Sequence, residues 1–396
     1  MTTAPKGSSD TPVLVAGGGI AGLAAALALA RRDRPVHVFE AAPAFEEVGA
    51  GLQLGPNAVR ALDRLGALDR VLPATVAPEA ILIRDGRNGQ ILARIPLGPE
   101  FEARFGAPYR VVHRADLLHG LVETCRAVPE IALSTGTALD RFDEDAAGVT
   151  ASFADGSTAA GRALVGADGI RSAVRRQLLD DGGPDFSGHI LYRALAPMKD
   201  APEAASGTVV TLWLGPGGHV VHYPVSAGRK LNIVAAFDGN WHESGWSAPG
   251  SPRALLEAFR WAHADLRAVL EAPRRWLKWA GADRAPAERW SRGRVTLIGD
   301  AAHAVLPYLA QGAAMALEDA VVLGEAAGEA GADLPDAFAA YEAARHARTA
   351  KLRSESRRHG RAYHLSGPLR IARDLVVRRM GGARGLDRMT WLYRWP

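Results

Sequence analysis

Cysteine is almost absent. Cys125 stands alone among 396 residues, which excludes an internal disulfide framework and any zinc or iron–sulfur site built on the cysteines of one chain. With no visible secretory signal, a reducing, cytoplasmic location is expected. A strong charge of either sign is also missing. The 47 basic and 43 acidic side chains leave +4, too balanced to argue for a nucleic-acid partner. The 12 histidines show no paired ligand spacing, so no metal is expected. No internal repeat is visible. One local bias remains: Arg345 to Arg394 is arginine-rich, which reads as a solvated helix face. The length calls for two or three domains, or one large domain with an excursion.

Long hydrophobic runs are scarce, with one exception. Val13 to Ala30 carries no charge and is just long enough to span a membrane. Three consecutive glycines after Val13-Leu14-Val15 argue against one continuous helix. The stretch divides better into a strand over Pro12–Val15, a turn, and a helix over Ile20–Arg32, so no membrane partner is expected. A second short strand follows at Val36–Phe39. Apolar periodicity predicts helices over Asn57–Leu68 and Ala115–Val128. Between Ile190 and Ala236 the pattern changes to repeated strands separated by turn residues: Leu191–Leu195, Val209–Leu214, His219–Pro224 and Leu231–Phe237. Ser251–Leu270 reads as a helix. A buried strand returns at Val295, followed by a helix over Ala313–Gly331 and a helical C-terminal region.

The glycines after the first strand fit G-x-G-x-x-G. Gly17 permits the tight turn, Gly19 lets a pyrophosphate approach the backbone beside Ile20 and Ala21, and Gly22 lets helix and strand pack closely. Glu40, at the end of the next strand, can accept hydrogen bonds from a ribose diol. This pattern points to a dinucleotide with an ADP half, either NAD or FAD. No second such motif follows a strand downstream, so the chain holds one permanent nucleotide site at most.

"LIGDAAHAVLP", Leu297 to Pro307, places one carboxylate at a strand tip beside very small residues. Asp300, after Gly299, can cap a turn or hold a hydroxyl of a ribityl chain. Amides around Gly312 and Ala313, at a helix start, can face negative charge.

Three stretches in this order resemble the single-component, class A flavoprotein aromatic hydroxylases, the group of para-hydroxybenzoate, salicylate and 3-hydroxybenzoate hydroxylases. They are Gly17–Gly22, "GADGIRSAVR" at Gly166–Arg175, and "GDAAHAVLPYLAQGAAMALEDA" at Gly299–Ala320. "GAGLQLGPNAVRALDRLG" at Gly49–Gly66 and "HRADLL" at His113–Leu118 support them, and the likeness runs from about Pro12 to Tyr393. It implies an α/β fold: a Rossmann-like FAD-binding domain with an inserted β-sheet substrate domain and a helical C-terminal region. The expected division is a loose tail over 1–11, FAD-binding parts at 12–185 and 281–345, a mainly β substrate domain at 186–280 and the helical region at 346–396.

The resemblance further implies bound FAD, transient NADH or NADPH, and O2. In this family the reduced flavin forms a C4a-hydroperoxide that hydroxylates an electron-rich ring. Glu40 would bind the adenosine ribose, Arg114 the pyrophosphate or ribityl region, and Asp300 the ribityl chain. Leu52, Gln53 and the backbone after Gly312 would lie along the isoalloxazine. Asp168 matches a shared FAD/NAD(P)H motif, or simply caps a turn. His219 matches the histidine that serves as base in the 3-hydroxybenzoate 6-hydroxylase branch. Strand alternation puts His219, Val221 and Tyr223 on one face and His222 on the other. Tyr223 is the second catalytic candidate, about 13 Å along the strand at ~3.3 Å per residue. That branch carries glutamine where this chain has Pro307, so Pro307, Tyr308 and Gln311 are the candidate substrate contacts. Arg193 and His303 are candidate carboxylate partners, with structural hydrogen bonding as the plainer reading. The expected substrate is a small phenolic or hydroxy-heteroaromatic acid, and the family is often homodimeric. Two rival readings are flavin-dependent epoxidation or reduction of an apolar polyene or quinone, which needs a longer and greasier pocket, and a non-catalytic flavin-binding regulatory protein.

Overall fold

The computed structural model describes residues 11–45, 50–329, 333–379, 381 and 383–395. The expected loose tail lies outside them, apart from Thr11. Six strands form a sheet in the order Ser291–Arg292, Val295–Leu297, Ala163–Gly166, Val13–Ala16, Val36–Phe39, Ile131–Ser134. All pairings are parallel except the short edge strand Ser291–Arg292. Val13–Ala16 is buried along its whole length, as an apolar run covered on both faces should be. The chargeless stretch breaks at Gly17–Gly19, and the helix runs over Ile20–Ala30. Its alanines let a second helix, Gly312–Ala327, come very close. A Cβ on Gly324 would stand 2.9 Å from both the Cβ and the carbonyl oxygen of Ala28. No helix among the described residues is long and apolar enough to cross a membrane.

A second, eight-stranded sheet runs Ser247–Gly250, Trp276–Asp283, Asp185–Pro197, Lys230–Asp238, Gly218–Val225, Val209–Gly215, Ala80–Asp85, Ile91–Pro96. Its last two strands come from inside the 12–185 segment, so the 186–280 segment does not build this sheet alone. Ala80–Asp85 joins Val209–Gly215 in parallel register, and a parallel pair has no tight turn between its strands to announce it. The helix expected over Ser251–Leu270 is two helices, Pro252–Ala258 and Ala264–Glu271. Between them His263 caps the second by accepting from the Asp265 N–H at 3.2 Å, and its own N–H bonds Gly86 O at 2.8 Å.

The C-terminal region begins with a 30-residue helix, Leu334–Tyr363, about 45 Å long at ~1.5 Å per residue. Some of the region's arginines depart from the solvated-face expectation, while Arg358, Arg361, Arg378 and Arg379 stay exposed as expected. Arg345 is 1% exposed and bonds both Glu318 at 2.8 Å and Asp319 at 2.6 Å, while Arg348 bonds Glu318 at 2.6 Å. Arg357 bonds Asp283 at 2.6 Å, and Arg373 is buried against Asp374. Buried charges persist only when paired. Arg345, Arg348 and Arg357 bind the long helix to the core and are not a free basic surface.

Candidate active site

The carboxyl ends of the parallel strands open into a cavity of about 590 Å³, the position where open α/β sheets bind ligands. One wall is the nucleotide motif. Gly17 has φ +107°, and a Cβ on Gly22 would lie 1.9 Å from Gly17 O, so Gly22 serves close packing and does not line the cavity. Glu40 accepts from the Gly18 N–H at 2.7 Å and the Ala42 N–H at 2.8 Å. Its carboxylate therefore holds the glycine turn, with lone pairs left for a further donor.

Two helices begin at this cavity, at Ile20 and at Gly312. Neither has a side-chain cap or an acid in its first turn. A Cβ on Gly19 or on Gly312 would meet nothing within 4 Å. Two bare helix N-termini facing open space suit a ligand with negative or electron-rich groups at two places. Gly17, Gly19, Ile20, Ala21, Glu40, Leu52, Gln53, Arg114, Asp168, Asp300, Gly312 and Ala313 all line this one cavity. The donor set and the open cradle fit FAD.

The supporting residues explain why the motifs sit where they do. Asp168 accepts from the Ala173 N–H at 2.7 Å, the Val174 N–H at 3.1 Å and the Ser172 hydroxyl. It caps the helix Ala173–Leu179 while still touching the cavity, and burial raises its pKa against those bonds. Arg175 donates to Ala301 O at 3.0 Å and Ala302 O at 2.6 Å, so one motif braces the other. Gly299, at φ +62°, donates to Asp319 at 3.1 Å and lies behind the cavity wall. Asp300 is exposed to the cavity at the start of a short helix, Asp300–His303. Burial would raise the Asp319 carboxyl, but His303, at 2.6 Å, and Arg345 outweigh it and hold it below its ordinary value. His303 is thereby committed to Asp319.

The opposite wall is the antiparallel sheet. Its register aligns three rows across neighbouring strands: Leu191–Ala236–His219, Arg193–Val234–Val221 and Leu195–Asn232–Tyr223. The first two rows and Tyr223 line the cavity, with Val305 and Pro307 closing it. Arg193 also lies 5.2 Å from the Trp279 ring. His222 faces the other way, where burial and then Arg84 push it down to about 3. Tyr223 is raised above the ordinary phenol range by burial.

Two expected substrate contacts lie elsewhere. Gln311 is 2% exposed, accepts from the Asn57 amide at 2.8 Å and does not line the cavity. The position ahead of a helix start turns its side chain back into the core. Tyr308 sits behind the wall. Its hydroxyl meets His189 Nδ1 at 2.5 Å, and its ring centroid is 5.3 Å from that of His219.

Three residues were not singled out from the sequence: His189, Asp238 and His364. His219 Nδ1 lies 2.9 Å from His364 Nε2, His364 Nδ1 lies 2.5 Å from Asp238 Oδ1, and His189 Nε2 lies 3.4 Å from the same oxygen. Donor atoms of this trio lie within 4.8 Å of one another, but Asp238 Oδ1 and His364 Nδ1 are paired directly. We read the trio as a hydrogen-bonded cluster. Positions 219 and 364 are 145 residues apart, and no local pattern links them.

The FAD binding domain family model matches residues 10–356. The chain is 42% identical over 387 residues to 3-hydroxybenzoate 6-hydroxylase of Polaromonas naphthalenivorans (strain CJ2), covering 98% of this chain and 96% of that protein. It is 39% identical to 3-amino-4-hydroxybenzoate 2-monooxygenase of Streptomyces platensis, covering 96% and 95%. Among solved structures, Klebsiella pneumoniae HpxO complexed with FAD and uric acid superposes with a TM-score of 0.86 at 29% identity, covering 97% of each chain. With these likenesses spanning both sheets and both helix starts, the chain belongs to the FAD-binding-domain family of flavoprotein aromatic hydroxylases, and FAD is its cofactor.

Proposed function

We propose that this protein hydroxylates the ring of a small phenolic or hydroxy-heteroaromatic acid, with His219 as the base that takes the ring hydroxyl's proton. Bound FAD, reduced by NAD(P)H, supplies the oxygen-transfer chemistry with O2. The observation that carries the reading is the wall opposite the FAD cradle. It offers a buried imidazole, an arginine and otherwise apolar side chains. Two strand spacings and two residues separate Arg193 from His219, on the order of 12 Å between Cα atoms. An arginine side chain and one aromatic acid span that distance, with Arg193 balancing the carboxylate.

Burial first, and then His364 and His189, push His219 well below its ordinary value. It is therefore neutral at pH 7 and able to accept a proton. A phenolate attacks an electrophilic oxygen faster than a phenol does, so proton removal accelerates the step. Leu191, Val221, Val234 and Ala236 exclude water from the reacting ring. Tyr223, kept protonated by burial, does not act as a base. Four residues along the strand from His219, it lies on Arg193's side of the wall, where it donates toward the substrate's carboxylate. The polyene reading loses ground here, because a charged arginine and a base share a compact wall. Purified yellow enzyme should oxidise NAD(P)H faster with 3-hydroxybenzoate or a related acid and release a hydroxylated product. NAD(P)H oxidation that yields only peroxide with every acid would remove the proposal.

A further inference from the structure

The proton that His219 accepts must leave a wall that is nearly dry, since His219 is 4% exposed. Its neighbours are few. Tyr308, Tyr363 and His364 ring centroids lie 5.3, 5.2 and 5.1 Å from its own. Only His364 bonds its ring among the described residues, at 2.9 Å. His364 follows the long helix directly, and its Nδ1 reaches Asp238, whose side chain is 59% exposed. Asp238 lines a separate surface cavity with Arg87, Gly217, Arg260 and Trp261. Backbone bonds fix the geometry: Gly217 N–H donates to His364 O at 3.0 Å, and Asp238 N–H donates to Gly217 O at 3.0 Å.

We propose that His364 and Asp238 are positioning residues that form a proton exit from the substrate cavity, and that Asp238 sets the tautomer which makes His219 a base. The proposal rests on the reading of His219 given above.

The donor inventory fixes the direction. An ionised carboxylate only accepts, so the hydrogen between Asp238 and His364 is on His364 Nδ1. When His364 carries only that one hydrogen, its bare Nε2 accepts from His219 Nδ1–H. That leaves the lone pair of His219 on Nε2, the nitrogen turned away from His364. The transfer balances as three handovers. The substrate O–H gives its proton to His219 Nε2 and becomes phenolate. His219 Nδ1–H passes a proton to His364 Nε2. His364 Nδ1–H passes one to Asp238, which releases it to water. No oxidant is consumed. The same oxygen of Asp238 lies 3.4 Å from His189 Nε2, so His189 donates there and its Nδ1 accepts from Tyr308 OH. Asp238 thus orders both branches around His219. The groups facing the chain are His189, Tyr308, Tyr363, Arg87 and Arg260.

The tautomer argument separates two substitutions that a structural role would not. In Asp238→Asn the amide can donate to His364 Nδ1. The chain then reverses, and His219 presents Nε2–H to the substrate. Asp238→Ala leaves His364 to water and keeps the original direction in part. The test mixes oxidised holoenzyme with 3-hydroxybenzoate, without NAD(P)H, in weak buffer. Phenolate absorbance and a pH indicator are followed by stopped flow, with FAD content and ligand affinity as controls. Expected are phenolate formation with proton release in the wild type and at least a tenfold slower phase in Asp238→Asn. Asp238→Ala should be intermediate and accelerated by formate. Wild-type rates and pH profiles in both variants would overturn the exit while leaving His219 as base. Loss of FAD or ligand affinity in both would assign Asp238 a structural role and also overturn it. A wild type that binds the acid without forming phenolate would remove the base and the exit together, and turnover assays would then judge the reaction separately.

Discussion

The parallel sheet and the antiparallel sheet reach one cavity by different means. On the parallel side the work is done by backbone. Gly17, Gly19 and Gly312 clear space before two uncapped helix starts, and Glu40 and Asp168 spend most of their bonds holding turns. On the antiparallel side the work is done by side chains in register. Arg193 projects from one strand and His219 and Tyr223 from another, with the strand Lys230–Asp238 between them, and the titratable network behind them comes from three distant segments. One half recognises a shape common to many enzymes. On the proposed reading, the other half sets which acid is bound and how its proton leaves.

The largest expected effect lies beneath the cofactor half. Asp319→Asn removes the charged partner of buried His303 and one of the two acids that pair with Arg345, which should destabilise the protein by about 3 kcal/mol in chemical denaturation and lower FAD content. Asp319 is depressed in the folded state, so its contribution is present above the unfolded carboxylate pKa near ~3.9 and is lost as pH falls through the folded value. Wild-type stability should therefore show an acid limb that the variant lacks. Unchanged stability would break the view that this half is a rigid scaffold.

His219→Ala sharpens the comparison from the other side. FAD content should stay the same while hydroxylation at neutral pH falls about a hundredfold, within the range for general base catalysis and equal to about 2.7 kcal/mol. Raising pH should restore part of it, because bulk base then makes the phenolate. Turnover close to wild type at pH 7 would remove His219 from the reaction.

His222→Phe probes the far face of the same strand. Burial holds His222 neutral down to about 3, so between that value and the unfolded ~6.5 the unfolded chain binds the extra proton. Wild-type stability should fall as pH drops through 6.5, and the variant should lose about 2 kcal/mol less than wild type between pH 7 and 5. Parallel pH curves would contradict it.

The smallest effect is expected at Gln311, whose amide oxygen serves Asn57 and not the cavity. Gln311→Ala should leave the KM for the aromatic acid within about twofold, since buried neutral hydrogen bonds act mainly on stability. A KM rise of tenfold would put Gln311 back in the pocket.

What could be read from the sequence follows the same division. The glycine turn, Glu40 and Asp300 are local patterns, and the residues they name line one cavity apart from Gly22, which packs helix against strand. Strand alternation separated His219 from His222 correctly, because period 2 needs no partner strand. Arg345 read as solvent-facing because its acids, Glu318 and Asp319, lie on another helix. The strands Ala80–Asp85 and Ile91–Pro96 gave no sign that they complete a sheet begun beyond residue 185. His364 and Asp238 were invisible for the same reason. Their chemistry depends on contact across 126 positions, and single-residue patterns carry no such information.

Coupling is the measurement closest to the central claim that one wall holds FAD and the other prepares an aromatic acid. Holoenzyme is supplied with NAD(P)H, O2 and, in turn, 3-hydroxybenzoate, 3-amino-4-hydroxybenzoate and 6-hydroxynicotinate. NAD(P)H and O2 consumed should match hydroxylated acid formed with at least one of them. NAD(P)H oxidised with peroxide as the sole product across the whole series would contradict it.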